Sequence, residues 1–99
     1  TSTNLFIVLK GILRTPPLIE GALLPGTTRD AVMGIARENG ITVTEGPVSV
    51  AGLLACEEAF LTNAVIGAAP LVRVDRSLIG AGRRGPLTKR LQRLYFREY

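Results

Sequence analysis

The stretch Leu23-Leu24-Pro25-Gly26-Thr27-Thr28-Arg29-Asp30 constrains the fold of this chain more than any other segment. An apolar approach meets a Pro-Gly turn, then two hydroxyl residues, then the start of a helical pattern, so direction and period both change here. Downstream, Val32, Ile35 and Ala36 share one helical face, with Arg37 and Glu38 on another. Asn39-Gly40 supplies a left-handed stop and limits the helix to about three turns. The first N–H groups of a helix have no carbonyl partner and the dipole favours negative charge there, so this turn suits a phosphate. The plain alternative is that Thr27 or Thr28 caps the helix, with Asp30 complementing its dipole.

Upstream, Leu5-Phe6-Ile7-Val8-Leu9 is a β-rich run, and Lys10-Gly11 is a tight turn into Ile12-Leu13-Arg14-Thr15, which predicts a hairpin. Pro16-Pro17 stops regular pairing. Ile41-Thr42-Val43-Thr44-Glu45 alternates as a half-buried strand and Gly46-Pro47 breaks it. Ser49 caps a short helix through Leu53-Leu54 that ends near Cys56. Glu58–Asn63 is a buried strand, followed by small residues to Ala69-Pro70. Leu71–Val74 is a further strand, and Asp75-Arg76-Ser77 turns into Leu78-Ile79. Gly85-Pro86 opens a last helix with proline in its first turn and an inward stripe of Leu87, Leu91, Leu94, Tyr95 and Glu98. The expected fold is α+β, a mixed sheet with hairpins and two packed helices, forming one domain over residues 1–99.

Composition narrows the chemistry. The 99 residues are 46% hydrophobic, enough for a small core. No apolar run approaches the length of a membrane span, and a cytoplasmic location is expected. Histidine is absent, which removes His-based acid–base chemistry, triads and His-metal sites. A sole cysteine, Cys56, makes no internal disulfide. The net charge of +4 gathers in Arg83, Arg84, Lys89, Arg90, Arg93 and Arg97. Without interleaved aromatics for base stacking this is a solvated helix face, and no nucleic-acid partner is expected.

Two further segments bear on ligands. Gly80-Ala81-Gly82-Arg83-Arg84-Gly85 matches G-x-G-x-x-G. It lacks the βαβ unit and the acidic residue about 20 positions on that a dinucleotide needs, so it reads as a glycine-rich turn. Leu61-Thr62-Asn63-Ala64-Val65-Ile66-Gly67 delivers polar and then small residues from a strand, where a ligand could approach the backbone.

Taken together, these segments resemble a known family. Asn4-Leu5-Phe6, Leu13-x-Thr15, Leu24-x-Gly26 and Arg29 stand at the spacing of the class IV aminotransferase signature. The similarity continues through Glu58–Asn63, Pro70-Leu71-Val72 and Ile79-Gly80-x-Gly82-x-x-Gly85-Pro86-Leu87-Thr88, and so covers nearly the whole chain. This is the fold-type IV pyridoxal-phosphate family, which includes branched-chain and D-amino-acid aminotransferases and 4-amino-4-deoxychorismate lyase. The resemblance implies most of the C-terminal domain of such an enzyme, with pyridoxal 5'-phosphate as cofactor, a small-molecule amino substrate and a homodimeric parent. It places Leu24 against one face of the pyridine ring. It assigns the cofactor phosphate to Gly26, Thr27 and Thr28 on one side and to Asn63 and Ala64 on the other. Asn4 would belong to the strand supporting the partner of the ring nitrogen.

Two departures from the family pattern shape the expected activity. Position 27 is usually a branched aliphatic and is Thr here, which leaves a backbone role intact. The transaminases usually carry threonine where this chain has Ala64, and the Asn63-Ala64 pair is similar to 4-amino-4-deoxychorismate lyases. The expectation is therefore a lyase forming 4-aminobenzoate and pyruvate for folate biosynthesis, with a branched-chain or D-amino-acid aminotransferase as the alternative. The resemblance places the cofactor-bonding lysine and the ring-nitrogen carboxylate upstream of Thr1. No catalytic residue is expected within these 99 positions, and the chain alone is expected to be inactive.

Overall fold

The computed structural model describes residues 4–17, 27–63, 67–74 and 76–98. Its sheet grows from a two-residue turn. Lys10 (φ 54°) and Gly11 (φ 75°) both adopt left-handed backbone, the geometry whose twist matches two antiparallel strands. β1 (Asn4–Leu9) and β2 (Ile12–Thr15) therefore pair with Leu9 opposite Ile12 and Ile7 opposite Arg14. The Thr15 hydroxyl donates to the Leu5 carbonyl at 2.7 Å and ties the far end of the hairpin.

The helix forecast after the Pro-Gly turn is α1 (Thr27–Glu38). It ends where Asn39-Gly40 predicted: the Asn39 side-chain amide donates to the Ile35 carbonyl at 2.8 Å, and the Ile41 N–H returns to the Ala36 carbonyl at 2.9 Å. β3 (Val43–Glu45) then pairs parallel to β2, an arrangement that needs a crossover, here α1. This strand is shorter than the alternation of residues 41–45 suggests. Ile41 is instead buried in the core beside Val32 and Ala36. α2 (Val50–Ala55) is capped by the Ser49 hydroxyl, which accepts from the Gly52 N–H at 2.9 Å.

β4 (Glu58–Asn63) pairs antiparallel with β1, setting Phe60 opposite Phe6 and Thr62 opposite Asn4. The small residues that follow form a strand of their own, β5 (Gly67–Pro70), antiparallel to β4. Its Pro70 is tolerated because β5 is the edge of the five-stranded sheet, ordered β3-β2-β1-β4-β5. β6 (Arg73–Val74) and β7 (Ser77–Leu78) make a separate two-stranded ribbon. The strand expected over 71–74 is halved, because Leu71 and Val72 make isolated backbone bonds to Ala59 and Ile79. α3 (Pro86–Glu98) closes the described chain.

α1 and α3 cover one face of the sheet over Phe6, Leu13, Val32, Ile35, Phe60 and Leu91, with the Phe6 and Phe60 rings stacked at 5.0 Å. The other face buries Ile7, Cys56, Ala59 and Ile79. The expected α+β class, with a mixed sheet and two helices packed on it, is what the structure shows.

The registers define two margins of the sheet. At one, β1 begins while β2, β3 and β4 end. α1 starts there too, since Arg29 in its first turn bonds to Pro16 just beyond β2 and to Glu45 at the end of β3. At the other margin lie the Lys10-Gly11 turn, the end of α1, and the starts of β4 and α3.

Candidate functional site

Each margin carries the start of a long helix, and the two starts differ chemically. At α3 the glycine loop brings the chain hard against β4. Gly80 (φ 55°) leaves no room for a Cβ beside the Glu57 carbonyl, and a Cβ on Gly85 would collide with the Glu58 carboxylate. Glu58 then fills the helix start. Its carboxylate accepts from the N–H groups of Leu87 at 3.1 Å and Thr88 at 2.8 Å, and from the Thr88 hydroxyl at 2.8 Å. Glu58 and Thr88 are both buried. The place where a nucleotide phosphate would sit in a true G-x-G-x-x-G element is held by the protein's own carboxylate. The glycine loop packs the start of α3 against β4.

A cleft of about 680 Å³ opens at this same margin, lined by residues including Val8, Gly40, Glu57, Arg83 and Arg90. It lies at the end of the sheet opposite the predicted phosphate residues. The basic residues Arg83, Arg84, Lys89, Arg90 and Arg93 are exposed, and the Arg84 guanidinium bonds to Gln92 at 2.9 Å. Arg83 and Arg84 precede α3 while Lys89, Arg90 and Arg93 lie on it, and the Arg97 side chain is outside the described residues.

At the α1 margin, no side chain among the described residues is hydrogen-bonded to the first-turn N–H groups of the helix. Thr28 is buried there at 6% exposure. Neighbouring β4 ends in Thr62 and Asn63. Thr62 lies on the Phe60 face of its strand, is fully buried, and has a hydroxyl without a hydrogen-bond partner among the described residues. The Arg29 Nε and the Thr44 hydroxyl are the other such buried atoms. Asn4 stands opposite Thr62 at the start of β1. The structure thus brings the backbone of Thr27, Thr28 and Asn63 to one margin from opposite parts of the sequence. Helix-start donors with no side-chain partner among the described residues, and a buried hydroxyl nearby, suit an oxyanion. Leu24, Gly26 and Ala64, and the side chains of Thr27 and Asn63, lie outside the described residues.

Two participants were missed at sequence level. The sequence marks Arg29 as a signature residue without a role, and Glu58 only as part of a strand. A cation in the first turn of a helix runs against its dipole and was the available signal for Arg29. Glu58 gave none, because its partners lie about 30 residues away in sequence.

Cys56 is chemically quiet. Its thiol donates to the Leu53 carbonyl at 3.0 Å. Burial pushes its pKa up, the nearby Glu57 and Glu58 add to this, and backbone hydrogen bonds at Cys56 and Glu58 offset part of it. Among the described residues there is no cluster of three or more metal-ligating side chains, and no helix is long and apolar enough to cross a membrane.

Residues 1–74 match the family described as amino-transferase class IV, and the chain belongs to that family. It is 43% identical over 93 residues to the branched-chain-amino-acid aminotransferase of Escherichia coli strain K12, a match covering 94% of this chain and 30% of that protein. A crystal structure of the Escherichia coli branched-chain amino acid aminotransferase superposes with a TM-score of 0.89 at 42% identity, over 96% of this chain and 32% of that one. A T.th. branched-chain amino acid aminotransferase, crystallised in complex with N-(5'-phosphopyridoxyl)-L-glutamate, superposes at 0.88 with 30% identity, over 96% and 32% of the two chains. The chain therefore spans about 30% of the length of the relatives it matches.

These likenesses overturn the lyase expectation, and with it the folate-route product 4-aminobenzoate. That expectation hung on the Asn63-Ala64 pair, whereas the likeness to aminotransferases extends over 93 residues. The physical reason is plain. A phosphate can be held through a backbone N–H whatever the side chain beside it, so an alanine at position 64 does not exclude an aminotransferase.

Proposed function

We propose that this chain is the phosphate-holding part of a pyridoxal-5'-phosphate-dependent aminotransferase acting on branched-chain amino acids. The observation that carries this reading is the 43% identity to a branched-chain-amino-acid aminotransferase across 94% of the chain. The margin where α1 begins and β4 ends supports it, because amide donors and buried hydroxyls there fit a phosphate monoester.

In this reading the Thr27 and Thr28 amides and the Thr28 hydroxyl donate to the cofactor phosphate, and Gly26 lets the backbone come close. Asn63 and the Ala64 amide close the other side. Leu24 lies against the ring and excludes water from that face. Pyridoxal phosphate, when bound, supplies the electron sink for amino-group exchange between an amino acid and a 2-oxo acid. The residues of this chain bind and orient; the groups that move protons belong to the rest of a longer polypeptide. Assembly as a homodimer follows the same resemblance.

The test is a chimaera in which residues 1–99 replace the matching segment of the Escherichia coli branched-chain aminotransferase. The expected result is transfer of the amino group of L-leucine to 2-oxoglutarate with cofactor bound. A folded chimaera that binds no pyridoxal phosphate, or binds it and leaves leucine and valine untouched, contradicts the reading.

A further inference from the structure

Arg29 is 3% exposed in the first turn of α1. A cation there opposes the helix dipole, and a buried charge is costly unless well paired. Its contacts explain its presence. Nη2 donates to the Pro16 carbonyl at 3.1 Å and to Glu45 Oε2 at 3.2 Å, while Nη1 reaches Asp30 Oδ1 at 3.4 Å. Pro16 follows the end of β2 and Glu45 is the last residue of β3. One planar group therefore joins the helix start to the ends of two strands.

We propose that Arg29 is a positioning residue: it fixes the start of α1 against β2 and β3 so that the Thr27 and Thr28 amides stay aimed at a phosphate monoester. The proposal rests on the cofactor reading above. A guanidinium reaches two acceptors in a fixed fork, whereas an ammonium is a compact point charge. Arg29→Lys therefore keeps the charge and loses the geometry. Glu45, half-exposed, offers a milder cut through Glu45→Gln, which removes one strand end from the clamp.

The experiment follows backbone amide shifts of the 99-residue chain during titration with pyridoxine 5'-phosphate and, separately, pyridoxine. Both are alcohols and cannot condense with Lys10 or Lys89. In the unaltered chain the Thr27 and Thr28 amides shift with the phosphate ester alone. Arg29→Lys lowers the preference for the ester over pyridoxine by about tenfold and Glu45→Gln by about threefold, with pyridoxine affinity unchanged. If Arg29→Lys does not fold, Glu45→Gln carries the same test. A folded variant that keeps the full preference overturns the positioning role and leaves the cofactor reading standing. Absence of any ester-dependent shift in the unaltered chain overturns the cofactor reading, and this proposal with it.

Discussion

α1 and α3 both begin at a margin of the same sheet, yet one start is filled by a buried carboxylate and the other has no side-chain cap among the described residues. At α3, Glu58 satisfies two N–H groups and a hydroxyl from inside the fold. At α1, the described residues supply no such cap, and the nearby charge, Arg29, points its bonds at strand ends. A glycine motif at a helix start is thus a poor guide to ligand binding until the fate of its N–H groups is known. The α3 loop has the more familiar motif and the closed site. The plainer Thr-Thr turn has the donors.

The comparison is tested most severely at Glu58. Glu58→Ala leaves buried donors of Leu87 and Thr88 unpaired and is expected to cost about 3 kcal/mol in urea unfolding. A cost under about 1 kcal/mol would show that α3 needs no internal carboxylate. The glycines give the next contrast. Gly80→Ala forces a Cβ against the Glu57 carbonyl at a left-handed φ and should destabilise by about 2–3 kcal/mol. Gly34→Ala, inside α1 with open space around its Cα, should stabilise by about 0.5–1 kcal/mol.

A smaller contrast separates two buried threonines. Thr88→Val removes the hydroxyl bonded to Glu58 and should cost about 1–2 kcal/mol. Thr62→Val removes a hydroxyl with no described partner and should be neutral, or stabilise by about 1 kcal/mol, in thermal unfolding without ligand. An equal loss at both sites would erase the distinction between the margins.

The smallest effect concerns Cys56. Its folded pKa lies above the unfolded value, so the fold favours the neutral thiol. That contribution is complete below about pH 8.5 and is lost as pH rises through the folded value. Stability of the unaltered chain should fall in that alkaline window, and Cys56→Ala should flatten the decline. An unchanged pH profile in the variant would show that the thiol does not contribute.

What was legible in the sequence was whatever local rules decide. The Lys10-Gly11 turn, the Asn39-Gly40 stop, the Ser49 cap and the proline at the start of α3 all signal within four residues. β5 was not legible, because Gly67–Pro70 has little strand propensity and is drawn into the sheet by its pairing with β4. The starts of β3 and β6 differ from expectation for a related reason: Ile41 and Leu71 follow tertiary partners instead of their own alternation. At the candidate site, the helix start and the Thr62-Asn63 segment were visible as patterns. Their meeting at one margin depends on the register of β1 with β4, and Glu58 under α3 depends on a contact about 30 residues long. The Asn63-Ala64 dipeptide does not separate lyase from aminotransferase, whereas the likeness to aminotransferases runs over 93 residues.

The most direct measurement maps where a phosphate ester binds. With pyridoxine 5'-phosphate added to the 99-residue chain, the amides of Thr27, Thr28 and Asn63 should move together while those of Leu87 and Thr88 stay fixed on Glu58. Shifts centred on Leu87 and Thr88, with Thr27 and Thr28 unmoved, would contradict the assignment of the open helix start to α1.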